Sequence, residues 1–383
     1  MASNVAVGLT RRDGHGITAV MRKLLVLILA FHLLPSLNAA ESGLKRYLYL
    51  STPDGAQPGG SGNGILVFDI DNGHRLVRRI DVEFKEGLRG FCGNVKRHAV
   101  YYTTTNRRLG AVDLETEKVL WERQYDLGCD RACITPDGRK LYVPTGWWWK
   151  GTNSGLLVVN PDNGNVLKRL PAGPAAHNSI AGLDGQFAYL GTETNLWVFR
   201  ANDDSLARNI NNVGESGVFP FTIDSRNRFA YVCLGKHVGF DVVDLRTSAV
   251  PHRVLAGNEP IPHRTHGAAL TPDEKELWLS DQEGKKLFIF DATQMPPKES
   301  GHVELTQGGH GWVTFSLDGR YAWCHTPDVI DARTRKIIAT LKDESGKPVC
   351  SSKFTEVQFR DGKVVEMGDQ FGLGRAHLKV SAR

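Results

Sequence analysis

His177, His266 and His310 stand seven, seven and eight residues before the turn aspartates Asp184, Asp273 and Asp318. Comparable places before other turns hold Arg89, Asp130 with Arg131, Glu215 and Lys353, so an ionisable side chain recurs at one point of the chain's internal rhythm. His237, His263 and His325 fall in nearby segments, and these six histidines are most of the eleven that follow Ala40. Imidazole exchanges protons near neutral pH and, when neutral, ligates divalent metals. Three imidazoles around an open position would hold a metal that polarises a carbonyl or acidifies water. His177, His266 and His310 are therefore the candidate catalytic residues and, as a set, the candidate ligands of a divalent metal. Arg89, Arg131 and Lys353 suit an anionic ligand, with Glu215, His237, His263 and His325 beside them. The competing reading is architectural, with polar residues facing water and holding neighbouring elements together.

The run Trp147-Trp148-Trp149-Lys150 is the other unusual feature. Successive side chains of an extended chain point to opposite sides, so three tryptophans cannot share one core. Trp148 and Trp149 are candidate platforms for a flat apolar face such as a sugar ring, with packing on a neighbour as the alternative. The glycine-rich loop at 53–64 has no Gly-Lys-Ser/Thr and precedes an apolar strand-like run, so it reads as a loop rather than a phosphate cradle.

The elements that must position these residues are set by a repeat of about 45 residues. Short apolar runs end at Asp69, Asp113, Asn160, Arg200, Asp244, Asp291 and Asp331, at intervals of 44, 47, 40, 44, 47 and 40 residues. A second landmark, the turn Pro136-Asp137-Gly138-Arg139, returns out of phase at Asp184, Asp224, Asp273, Asp318 and Asp361. Seven such units of alternating strands predict an all-β, seven-bladed β-propeller of four-stranded antiparallel blades. The third unit predicts an inner strand over 130–134, a second over 139–145, a third over 155–160 and an outer one over 165–170, with a tight Asn-Gly turn before the last. The recurring ionisable positions then lie at the starts of inner strands, around one mouth of the central channel.

The segments Asp137-Gly138-Arg139-Lys140-Leu141-Tyr142-Val143 and Asn163-Gly164-Asn165-Val166, with Tyr189-Leu190-Gly191-Thr192 and Tyr231-Val232-Cys233-Leu234, resemble the YVTN-type propeller repeat. The likeness runs over nearly the whole chain after the leader, although no repeat carries the four letters intact. It implies the WD40/YVTN-like propeller fold. One stretch, Ala111 to Glu122, is similar to repeats of quinoprotein propellers and occurs once.

The chain enters the repeat with second- and third-strand material and leaves with an inner-type strand, 354–359, so N- and C-terminal strands are expected to close the ring in one blade. Both 47–50 and 363–367 read as the second strand of that blade, and the pattern does not choose between them.

Residues 1–40 are set apart as a signal-peptide region. Met21-Arg22-Lys23 precedes an apolar run to Leu34, Pro35 and the small residues Ala39-Ala40, and Met21 is an alternative start. The run is shorter than the roughly 20 residues of a membrane helix, so export to the periplasm or outside is expected, with no membrane span after cleavage. The single domain is then 41–383. The leader holds four of the 47 basic and one of the 42 acidic residues, leaving a net charge near +2 that gives no reason to invoke nucleic acid. All six cysteines follow the leader, where disulfides persist, and buried free thiols are the alternative.

Fold does not name function. The first reading is an exported propeller that binds a small-molecule, saccharide or anionic ligand, or a protein partner, at its histidine-rich mouth. The alternative is a metal- or histidine-dependent carbohydrate lyase or hydrolase, with a lactonase or a quinoprotein oxidoreductase behind it.

Overall fold

The computed structural model describes residues 43–52, 58–147, 153–193, 195–218, 220–349 and 353–368, together with Met1. The candidate leader and Cys350 therefore lie outside the described residues. The blades fall within one compact unit, Lys45–Arg383.

Seven antiparallel sheets form the ring. Six have four strands in sequence order, as in blade 2: Leu88–Asn94, Ala99–Thr104, Arg108–Asp113 and Val119–Gln124. Blade 3 matches the expected strands closely except at its inner edge, where only Cys133–Ile134 is strand and Arg131 makes an isolated parallel bridge to Asn178 of blade 4. The third strand of every blade ends at or one residue before a landmark position, and the landmark carboxylate has a local job. Asp69 Oδ1 accepts from the amides of Asp71 and Asn72, and Asp113, Asp244 and Asp331 repeat the motif. A short side-chain acceptor satisfies turn amides that the ladder leaves unpaired, so the position recurs.

The core is distributed between blades. Seven apolar clusters occur among the described residues, and each draws chiefly on two adjacent sheets. In blade 1 Ile65 and Val67 face blade 2, whereas Leu66 and Phe68 face blade 7. Period-two alternation thus feeds two interfaces at once, which is why the inner and middle strands read as continuous apolar runs. Outer strands carry far less: Val166, Leu167 and Leu206 are exposed.

Closure resolves the ambiguity of the two spare segments, since neither is displaced. Lys353–Arg360 is the inner strand of blade 1, followed outward by Leu44–Ser51, Ile65–Asp69 and Arg75–Ile80. Lys363–Met367 folds back on the opposite, channel-side edge of Lys353–Arg360, with Val357 opposite Met367, and makes this blade five-stranded. The fully buried Glu356 ties the closure together by accepting from Arg46 Nε at 2.9 Å and from the Leu317 amide of blade 7 at 2.7 Å.

Candidate functional site

The inner strands bring the predicted ring together. Arg89 lies in Leu88–Asn94, Arg131 just before Cys133–Ile134, His177 just before Asn178–Ala181, His266 in Thr265–Leu270, His310 before Val313–Phe315, and Lys353 opens Lys353–Arg360. These six sit at the same end of blades 2, 3, 4, 6, 7 and 1.

Asp130 is the hub on one side. Its Oδ1 accepts from Arg131 Nη1 at 2.8 Å and pairs with Arg89 Nε at 3.6 Å, while Oδ2 accepts from His177 Nδ1 at 2.8 Å. Asp130, Arg131 and His177 are all at least 98 % buried. The Arg131 amide donates to the His177 carbonyl and the Ser179 amide to the Arg131 carbonyl, so blades 3 and 4 are stitched by backbone exactly where the short strand begins. Trp147 lies over the His177 imidazole with ring centroids 4.0 Å apart. The first tryptophan of the unusual run thus packs on a histidine, whereas Trp148 and Trp149 lie outside the described residues.

On the other side the His266 and His310 rings are 3.6 Å apart at 42°. His266 is buried beneath and His310 remains exposed at the mouth. Blades 6 and 7 approach closely enough that a Cβ on Gly267 would lie 2.7 Å from the Trp312 Cα, so any side chain there would push the blades apart.

Trp312 was not anticipated, and it completes the site. Although it hangs from blade 7, its buried indole belongs to the apolar cluster between blades 4 and 5, so it reaches across the channel. Arg131 Cζ lies 5.5 Å and Lys353 Nζ 5.3 Å from its ring, and His266 packs at 5.5 Å. It is the floor of the mouth, with cations above a π face. The only sequence signal was its place after Gly308-Gly309-His310-Gly311, a run too glycine-rich to be ordinary strand.

Electrostatics divide the groups clearly. Burial alone would raise the Asp130 pKa, but Arg131, Arg89 and His177 outweigh it and hold the carboxyl well below its usual range. Burial pulls Arg131 down to about 10, offset by Asp130, so it stays charged at neutral pH. His177 is driven to about 4 by burial, partly opposed by Asp130. His266 is driven far down by burial and then by His310 and Arg131. The walls of the mouth, then Lys353 and Arg131, also lower His310, even though solvent reaches its ring. The cations Arg131 and Arg89 and the neutral His177 therefore surround the buried Asp130 carboxylate.

The remaining candidates lie off this centre. His237 Nδ1 donates to Glu215 Oε1 at 2.9 Å, and Glu215 has a left-handed backbone conformation at φ 61°. His263 bonds Asp281 through Nδ1 at 3.0 Å, and that hydrogen bond raises its pKa. His325 is buried under the loop of Gly309 and Gly311, is held to about 4 by burial and then Lys353, and neither ring nitrogen has a hydrogen-bond partner among the described residues.

The expected three-histidine metal site is not formed. No group of three or more His, Cys, Asp or Glu disposed to hold a metal occurs among the described residues. His177 is committed to Asp130, His266 stacks on His310, and Arg131 and Lys353 would repel a dication. The five described cysteines are buried, and Cys129, Cys233 and Cys324 are free thiols.

No family model matches the chain, and no curated protein matches it. Solved structures do. Hydrazine synthase of Kuenenia stuttgartiensis is similar over 67 % of this chain and 80 % of its own, at 16 % identity and a TM-score of 0.55. The β-propeller domain of Myceliophteria thermophila Cps50 (Swd1) is similar over 73 % of this chain and 90 % of its own, at 11 % identity and a TM-score of 0.55. With blades, closure and these likenesses together, the chain has the WD40/YVTN-like seven-bladed β-propeller fold.

Proposed function

We propose that this is an exported ligand-binding propeller whose channel mouth takes a small anion, a carboxylate- or phosphate-bearing molecule, over the Trp312 floor. The observation that carries the reading is a clustering of basic groups: Arg89 and Arg131 converge on Asp130, Lys353 stands with Arg131 over the Trp312 ring, and the adjacent His177 is neutral. Cations held in a partly dry, low-dielectric mouth attract an anion far more strongly than the same charges on an open surface. The indole beneath them suits a ligand with a flat or apolar face, which a uronic acid or another acidic ring would supply.

The export half of the reading rests on the leader-like order of residues 21–40. Aminoterminal sequencing of protein recovered outside the cytoplasm should begin near Glu41, and an intact leader on all recovered protein would overturn it.

The ligand half is tested by titrating D-galacturonate and D-galactose in parallel. The acid should bind and the neutral sugar should bind at least about ten-fold more weakly, the worth of one charge-assisted contact. Equal affinities would remove the anionic assignment.

A further inference from the structure

A cavity of about 340 Å³ lies at the end of the inner strands away from the mouth. The inner strands that begin near Arg89, Arg131 and His177 end at Asn94, Ile134 and Ala181, and these ends line it. The fifth strand of blade 1, Lys363–Met367, forms the remaining wall, with Met367 lying so close over Gly93 that a Cβ there would overlap it. The fifth strand therefore completes the pocket.

The chemistry of this pocket differs from that of the mouth. Ile180, Val365 and Met367 present apolar surface, with Cys92 and Cys133 beside them. One cation and one anion, Lys96 and Glu366, stand among the lining residues, so the charge is balanced. Asn94 adds a single directed group. Its amide Nδ2 donates to the carbonyls of Thr135 and Pro136 at 3.1 and 3.3 Å, which fixes the amide, and its Oδ1 has no hydrogen-bond partner among the described residues although the residue is 93 % buried. A buried acceptor left unpaired costs free energy that a ligand donor would recover.

We propose that this pocket is a second binding site, for a small uncharged ring compound that carries one hydrogen-bond donor. The volume lies at the lower end of the range for small-molecule sites, enough for one or two fused rings. Apolar contact supplies affinity, and Asn94 Oδ1 sets orientation by accepting from the ligand's hydroxyl or N–H.

The probe is 2-naphthol, followed by equilibrium dialysis, with 2-methoxynaphthalene as the isostere without a donor. The unaltered protein should bind one 2-naphthol saturably and the methoxy compound about five-fold more weakly, the worth of one hydrogen bond. Ala181→Phe and Val365→Trp should each weaken 2-naphthol at least about ten-fold by filling the pocket. Val365 is 39 % exposed, so that variant remains informative if Ala181→Phe does not fold. Lys353→Met should leave 2-naphthol binding unchanged, which keeps this site separate from the mouth. Absence of saturable binding, equal binding of the two probes, or unchanged affinity in Val365→Trp would each overturn the proposal.

Discussion

His177 Nδ1 and Asp130 Oδ2 lie 2.8 Å apart, so a carboxylate of blade 3 orients an imidazole of blade 4 while also balancing Arg131 and Arg89. One acid thus serves three basic partners in a buried setting. Asp130→Asn keeps the shape and removes the charge, leaving Arg131 buried without compensation. The expected cost is about 3 kcal/mol in urea unfolding, in line with breaking a buried ion pair. The folded fraction should bind anions more tightly, because the mouth becomes more positive. A variant as stable as the unaltered protein would show that the carboxylate is not the hub.

Trp147 covers the His177 ring, and its removal should be felt through that ring. Trp147→Ala should cost about 1–3 kcal/mol in stability, as expected for a partly buried aromatic pair. It should also raise the His177 pKa from about 4 towards the ordinary histidine value by readmitting water. An NMR titration of the His177 ring reads the second effect, and an unshifted pKa would contradict the stacking account.

Buried neutral histidines predict the direction of the stability–pH curve. His74, His177 and His325 are each held to about 4, chiefly by burial, against 6.5 for the free side chain. As pH falls through 6.5 the unfolded chain takes up protons and the folded chain does not, so stability is complete above about 6.5 and is lost down to about 4. Unfolding near pH 5 should take up about three protons from these groups. The dependence of the urea midpoint on pH measures this, and a flat curve between pH 6.5 and 4.5 would count against it.

Glu356 holds the ring closed through Arg46 and the Leu317 amide. Glu356→Ala should cost about 2–3 kcal/mol, since it removes the buried acceptor of the Leu317 amide, of Gln358 Nε2 and of Arg46 Nε at the seam between blades 7 and 1, while Arg46 keeps Asp318 at 3.0 Å. Arg46→Met with Glu356→Gln should cost less than Glu356→Ala alone, because the glutamine keeps a buried acceptor at the seam.

The fold was legible because local chemistry repeats with it. Asp69, Asp113, Asp244 and Asp331 recur because each caps the same turn, and the alternation of residues such as Leu66 and Val67 serves two blade interfaces at once. The equivalence of His177 and His266 was likewise readable from their common distance to a turn aspartate. What they do was not. His177 turns to Asp130 and His266 to His310, because side-chain direction at a strand start depends on the neighbouring blade. Trp312 escaped notice because its role depends on crossing the channel, a relationship without any sequence period. The fate of Lys363–Met367 was hidden for a similar reason. A strand pattern states which residues pair but not which edge of the partner is open.

The central claim is that the mouth binds anions, and sulfate titration calorimetry at about pH 7 and pH 5 tests it most directly, since sulfate keeps its charge across this interval. The unaltered protein should bind one sulfate with about the same affinity at both pH values, because the imidazoles beside Arg131 and Lys353 stay neutral across this interval and Arg131 stays charged. Arg89→Gln with Lys353→Met should weaken that binding by at least about ten-fold. An unaltered affinity in the double variant, or an affinity that changes several-fold between pH 7 and pH 5, would contradict the account.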